Sequence, residues 1–184
     1  MSKEVLVPIA DGTEEIEAVC IIDTLRRAGA EVTVASVDAL EVTASRGVRI
    51  VADALIADCA SRTYDCIALP GGMPGAEHLR DSSELNAMLK QQKQAGRLYA
   101  AICASTAVVL KTHGLLENVK ATCYPSMQND LDPAYISHDR VVVDNNCITS
   151  QGPAIAIEFA LKLVELLYDP DKAKEVAKAM LTTT

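Results

Sequence analysis

The stretch Gly96 to Leu110, GRLYAAICASTAVVL, constrains this chain more than any other. Leu98 to Ile102 reads as a short apolar strand, and Ala104 to Leu110 carries apolar residues at helical spacing. Cys103 therefore falls where a buried strand hands over directly to a helix. Such a junction requires a sheet with helices laid on it, and small residues either side of the turn so that strand and helix can approach. Ala101 and Ser105 occupy those places, two before and two after. The turn is a nucleophile elbow, and a thiol there faces unpaired backbone N–H groups and the positive end of the helix, both of which favour thiolate. A free cysteine is also commonly an inert, buried small hydrophobe, and this stretch alone does not separate the two readings.

With 184 residues, 49% of them hydrophobic, the chain is long enough for one well-buried core and short for two, so residues 1–184 are read as a single domain. A net charge of −8 with no basic patch argues against nucleic acid. The apolar run Val5 to Ala10 is too short for a signal core or a membrane span, so no membrane contact and a cytoplasmic location are expected. Cysteines at 20, 59, 66, 103, 123 and 147 form no C-x-x-C and have no histidine at ligand spacing. Reduced thiols are expected, with neither a metal site nor a disulfide framework.

From the N-terminus, Glu4 to Ala10 reads as a strand covered on both faces. Thr13 is expected to cap a helix over about 14–28 with Ile16, Val19, Cys20 and Leu25 on its inner side. Glu17 lies near that stripe, where a solvated charge is the commoner reading. Glu31 to Val37 is the next strand, and a strand–helix–strand opening marks a right-handed parallel crossover. Glu41 to Ala44 and Val48 to Val51 read as a hairpin, at an edge of the sheet or projecting from it, with Arg46 in its turn, where an ordinary solvated cation is also a fair reading. Tyr64 to Leu69 is a buried strand running into Pro70-Gly71-Gly72, which is either a plain turn or a pair of N–H groups open to an anion. Asp81 or Ser82 caps a helix over 83–95. His113 stands ten residues beyond Cys103, about 15 Å of helix rise and out of reach. Val119 to Tyr124 reads as a fifth core strand, and Arg140 to Thr149 as a second hairpin. Gln151-Gly152-Pro153 opens a helix over about 154–167, and Asp169 caps a last one. This alternation gives an α/β fold with a mostly parallel sheet and a functional crevice at the strand C-termini.

Four separated stretches together resemble the ThiJ/PfpI superfamily, and within it the DJ-one branch. They are Gly12-Thr13-Glu14-Glu15-Ile16-Glu17, Leu69 to Ala76, Ala100-Ala101-Ile102-Cys103-Ala104, and Ser150-Gln151-Gly152-Pro153 with Glu158-Phe159. The resemblance covers essentially the whole chain. It implies a flavodoxin-like three-layer sandwich and a homodimer, with the Glu17 helix at the subunit interface. It also implies Cys103 as reactive cysteine, Glu17 as the buried carboxyl beside it, and the N–H groups of Gly71, Gly72 and Ala104 as an oxyanion site, with Tyr124, Arg46 and Ser150 nearby. Burial would keep Glu17 protonated, so that it donates to the sulfur rather than repelling it. The chain departs from the branch at Ser105 and Thr106, where glycine and proline are usual and the added side chains are expected to narrow the site. It departs again at Tyr124, where animal members carry histidine, and at Gln151, where arginine is common. Ala104 stands where peptidase relatives place a histidine, which disfavours peptidase activity.

The activity so implied needs no cofactor. The Cys103 thiolate would attack small reactive carbonyl compounds, converting methylglyoxal or glyoxal to lactate or glycolate, as in a glyoxalase or deglycase that protects against oxidative stress. The competing reading is a redox sensor or redox-regulated chaperone working through oxidation of Cys103 to a sulfinate.

Overall fold

The computed structural model describes residues 2–182. In chain order the elements are β1 (Glu4–Ile9), α1 (Glu15–Arg27), β2 (Glu31–Ser36), β3 (Glu41–Thr43), β4 (Arg49–Val51), β5 (Ala54–Leu55), α2 (Ile56–Cys59), β6 (Cys66–Leu69), α3 (Gly75–Asp81), α4 (Ser83–Gln94), β7 (Leu98–Ile102), a π-helical segment Thr106–Lys111, β8 (Val141–Asp144), β9 (Cys147–Ser150), α5 (Ala156–Leu167) and α6 (Pro170–Ala179). Seven strands form one sheet in the order β5-β2-β1-β6-β7-β9-β8, parallel except for β8. β3 and β4 pair only with each other, as the projecting hairpin.

Alternation along the strands divides the core in two. Val5, Val7 and Ile9 of β1, with Ala100 and Ile102 of β7, meet α1, α5 and α6 on one face. Leu6 of β1, Ile67 and Leu69 of β6, and Tyr99 of β7 meet α2, α3 and α4 on the other. Both faces are covered, which is why these strands read as continuous apolar runs. The result is the flavodoxin-like three-layer α/β sandwich. The chain runs from β1 outward to β2 on one side, and from β6 to β7 and β9 on the other. The C-terminal ends of β1, β6 and β7 therefore open onto the crevice where the winding direction reverses.

Four sequence expectations change. The buried side of α1 is Glu17, Ala18, Ile21 and Leu25, while Ile16 and Val19 are 54% and 50% exposed and Cys20 is half-buried. The helix carries two apolar stripes, and the one ending in Leu25 faces the sheet and α5. The cap is Glu14, whose carboxylate accepts from the Glu17 N–H, because the Thr13 hydroxyl is taken by the Ala10 N–H at 2.9 Å. Val119 and residues 121–123 are buried, but 119–124 form no strand, since β9 already fills the place beside β7; they make one isolated bridge, Ala121 to Ile136. Finally, Ser105 and Thr106 are fully buried, with hydroxyls donating to Pro70 O at 2.6 Å and Ala101 O at 3.3 Å. They turn inward and do not narrow the crevice.

Candidate active site

Cys103 sits at φ +62, a conformation that costs an L-residue of order 1–3 kcal/mol unless its surroundings impose it. Here they do: its N–H donates to Ser150 O at 3.0 Å and its carbonyl accepts from the Tyr124 N–H at 3.3 Å. The Ser105 hydroxyl ties the first turn after the elbow to the loop following β6. Strand β7, strand β9 and the 119–124 segment together fix the bend, and the thiol points into a cavity of about 350 Å³.

Glu17 reaches the same point from the other side. The Glu14 cap, at 2.8 Å, sets the first turn of α1 so that Glu17 faces inward and is fully buried. Its Oε2 accepts from the Gly71 N–H at 2.7 Å, while Oε1 has no hydrogen-bond partner among the described residues. Oε1 is thus the oxygen left for the neighbouring thiol, which is close enough that each group moves the other's titration. Gly71 has room for no side chain: a Cβ would lie 2.7 Å from Cys103 Cβ and 2.9 Å from both Glu17 Oε2 and Ile102 O. Gly72, at φ +91, carries the chain past the backbone of Gly12 and Glu14, which a side chain would strike.

Burial pushes the Glu17 carboxyl up to about 7, with Glu14 adding to the rise and the Gly71 N–H and Cys103 opposing it. Burial also pushes the Cys103 thiol up to about 12, the Glu17 carboxylate adds to this, and the N–H groups of Ala104 and Gly72 pull it down. This corrects the expectation that the helix start alone would keep the sulfur ionised. Desolvation and a facing carboxylate outweigh it, so the two groups titrate as a pair that releases one proton near neutrality. Two N–H groups favour charge on the sulfur, and one favours it on the carboxylate.

Of the residues singled out in the sequence, Arg46, Gly72, Cys103, Ala104 and Tyr124 line the one cavity. Glu17 and Gly71 stand behind it, and the Gly71 N–H is committed to Glu17 rather than open to an oxyanion. Ser150 is not in the cavity: its buried hydroxyl donates to Arg140 O at 2.7 Å, and only its backbone carbonyl serves the elbow. Gln151 donates to His138 O at 3.0 Å, and His113 pairs with Arg80 O at 2.9 Å. Sequence reasoning missed Glu14, Ser45, Met73, Ser126 and Met127 as wall residues. The last two belong to a short helix after Pro125 that no periodicity announces. Among the described residues no group of three His, Cys, Asp or Glu side chains is placed to hold a metal ion.

The DJ-1/PfpI family model matches residues 3–166. The chain is 51% identical over 180 residues to Protein DJ-1 homolog B of Arabidopsis thaliana, covering 97% of this chain and 41% of that protein. Against Protein DJ-1 homolog A of the same plant it covers 47% of the relative, so it spans less than half of either. It is 36% identical over 178 residues to the glutathione-independent glyoxalase DJR-1.2 of Caenorhabditis elegans, covering 96% of this chain and 94% of that one. Among solved structures, oxidized Toxoplasma gondii DJ-1 superposes with a TM-score of 0.98 at 56% identity, covering all of both chains.

Proposed function

The chain belongs to the DJ-1/PfpI family, and on that premise we propose that it converts small 2-oxoaldehydes to 2-hydroxy acids without a cofactor, using Cys103 as nucleophile and Glu17 as proton carrier. The observation that carries this reading is a solvent-reached thiol next to a fully buried carboxyl whose second oxygen has no other partner. A worm relative named as a glutathione-independent glyoxalase supports it.

The chemistry follows from that pair. The thiolate forms a C–S bond to the aldehyde carbon of methylglyoxal, and the carbonyl electrons move to oxygen, beside the Gly72 and Ala104 N–H groups. The oxygen takes the Glu17 proton, giving a neutral hemithioacetal. The Glu17 carboxylate then removes a proton from the former aldehyde carbon and returns it to the former ketone carbon, while the hemithioacetal hydroxyl proton passes to the former ketone oxygen, leaving a 2-hydroxy thioester. Water breaks the C–S bond and releases lactate and the thiol. The sum is methylglyoxal plus water to lactate and a proton, with no oxidant. Hydrolysis of glycated amines and thiols would use the same nucleophile.

Lactate formation from methylglyoxal in the absence of glutathione tests this. Wild type should turn over, and Cys103→Ala and Glu17→Ala should fall to the buffer rate. Wild type indistinguishable from buffer overturns the reading. A second reading, oxidation of Cys103 to a sulfinate as a redox signal, draws on the same N–H groups around a sulfur that lines the cavity. Mass spectrometry after mild peroxide then has to show two oxygens on Cys103 before any other cysteine is modified. We also propose that the exposed Ile16 and Val19 stripe of α1 is covered by a second copy of the chain.

A further inference from the structure

Glu15 takes no part in the chemistry above, yet it is 8% exposed and fully engaged. One carboxylate oxygen accepts from the Ser45 hydroxyl and the other from the Arg46 N–H, both at 2.9 Å. Neither partner is in its own element: both belong to the turn of the β3–β4 hairpin, which is no part of the main sheet. The rest of that attachment runs to the loop before α1, with Ser45 N–H to Thr13 O at 2.8 Å, Gly12 N–H to Thr43 O at 2.9 Å and Thr43 N–H to the Asp11 carboxylate at 2.7 Å. Glu15 is thus the side chain that clamps the hairpin tip to the helix carrying Glu17.

The tip is a wall of the cysteine cavity, where Ser45 and Arg46 face Cys103 across the opening. Among the described residues Arg46 forms no ion pair; its guanidinium donates only to Ser45 O, at 3.3 Å. The other charged side chain on the wall is Glu14, acidic and tied to the α1 cap. With Arg46 held at the rim, the wall is balanced. With Arg46 released, the cavity is left acidic through Glu14 and the Cys103–Glu17 pair.

We infer that Glu15 is a positioning residue that sets the charge selectivity of the Cys103 pocket, holding Arg46 so that electrophiles bearing a carboxylate or other small anion are admitted alongside neutral ones. This deepens the reading above, since it widens the substrate class from neutral oxoaldehydes to acidic carbonyl compounds. It does not need turnover to be tested.

The probes are iodoacetate and iodoacetamide, which differ in one negative charge. The measured quantity is the ratio of their rates of alkylation at Cys103, read from the Cys103 peptide by mass spectrometry at low salt. In Glu15→Ala neither carboxylate oxygen is left for the Arg46 N–H or the Ser45 hydroxyl, so both clamps are lost. The iodoacetate-to-iodoacetamide ratio is expected to fall about threefold or more, the size of one displaced charge at a partly solvated site. Arg46→Ala should give a similar fall, and the double variant should fall no further than Arg46→Ala alone. Deleting the negative charge of Glu15 would by itself raise the ratio, so a fall marks positioning and not simple charge. A ratio that is unchanged or raised in Glu15→Ala overturns the inference. Should that variant not fold, Ser45→Ala removes one clamp without touching the carboxylate, and an unchanged ratio there overturns it equally. Absence of lactate formation by wild type would refute the proposed reaction while leaving this ratio readable.

Discussion

Replacing Glu17 by glutamine in a Cys103→Ala background isolates the energetic consequence of burying that carboxyl. The amide fits the site: its oxygen accepts the Gly71 N–H that now sits 2.7 Å from Oε2, and its NH2 takes the place of the unpartnered Oε1. The carboxyl titrates at about 7 in the folded chain against an ordinary 4.5, so the folded state holds the proton more tightly than the unfolded state does. Below about pH 4.5 both states are protonated and nothing is lost. As pH climbs through the window to about 7, the unfolded chain ionises freely while the folded chain resists, and stability declines. Each tenfold in proton affinity is about 1.4 kcal/mol, so the full loss is about 3 kcal/mol above pH 7. For a chain of this length that corresponds to roughly 6–12 °C in Tm. Glutamine cannot ionise and escapes the decline. Calorimetric or circular-dichroism melts of Cys103→Ala and Cys103→Ala/Glu17→Gln, at one protein concentration from pH 5 to 8, should start close together and diverge, the glutamine variant being the more stable at pH 8. Parallel Tm curves within about 1 °C across that range would refute the assignment of a protonated, buried acid at position 17.

Three further outcomes follow from the same geometry. Gly71→Ala drives a Cβ to 2.7 Å from Cys103 Cβ and 2.9 Å from Ile102 O, so we expect a loss of about 1–3 kcal/mol in urea denaturation with Cys103 alkylation and lactate formation both impaired; wild-type rates would contradict the close approach. Ser105→Ala leaves the buried Pro70 carbonyl, now bonded at 2.6 Å, without its donor, at a cost of about 1–3 kcal/mol in the same assay; no change would mean that the tie between elbow and β6 loop is idle. Ile16→Asp should convert the proposed dimer to monomer in sedimentation velocity, given the 54% exposure of Ile16, and an unaltered sedimentation coefficient would place the interface elsewhere.

Much of the frame was legible because its signals are local. The strands of the parallel sheet are continuous apolar runs, the Ser82 and Asp169 caps stand where helices begin, and both hairpins are marked by polar turns. The elbow was legible for the same reason, since strand and helix patterns abut at Cys103. What the sequence hid depends on competition between distant groups. Residues 119–124 have strand composition, yet the edge of β7 they would need is taken by β9, which is read only from the assembled sheet. The orientation of α1 turned on which of two apolar stripes the sheet would accept, and that choice decides whether Glu17 is buried. Ser105 and Thr106 looked like obstructions because their backbone acceptors, Pro70 O and Ala101 O, are invisible until the strand ends are side by side.

The same competition explains why the site is built from three strand ends rather than one motif. A thiol at a helix start, taken alone, is pushed up to about 12 here by burial and the facing acid, and so would be idle at neutral pH. The acid beside it is raised less, to about 7, so the pair gives up its first proton near neutrality, and the proposed reaction uses the form in which the remaining proton sits on the carboxyl. That arrangement needs Glu17 held in place, and the Gly71 N–H does so at 2.7 Å while opposing, more weakly than burial raises it, the proton affinity of the carboxyl. It requires two more donors on the sulfur, and these come from Gly72 and Ala104. Only a glycine at 71 lets the loop after β6 come near enough to Cys103 and Glu17 for all three bonds at once. The proposed reactivity of Cys103 therefore depends on the distance between the ends of β1, β6 and β7, and a substitution that widens this gap should silence the thiol even with every polar group of the site intact.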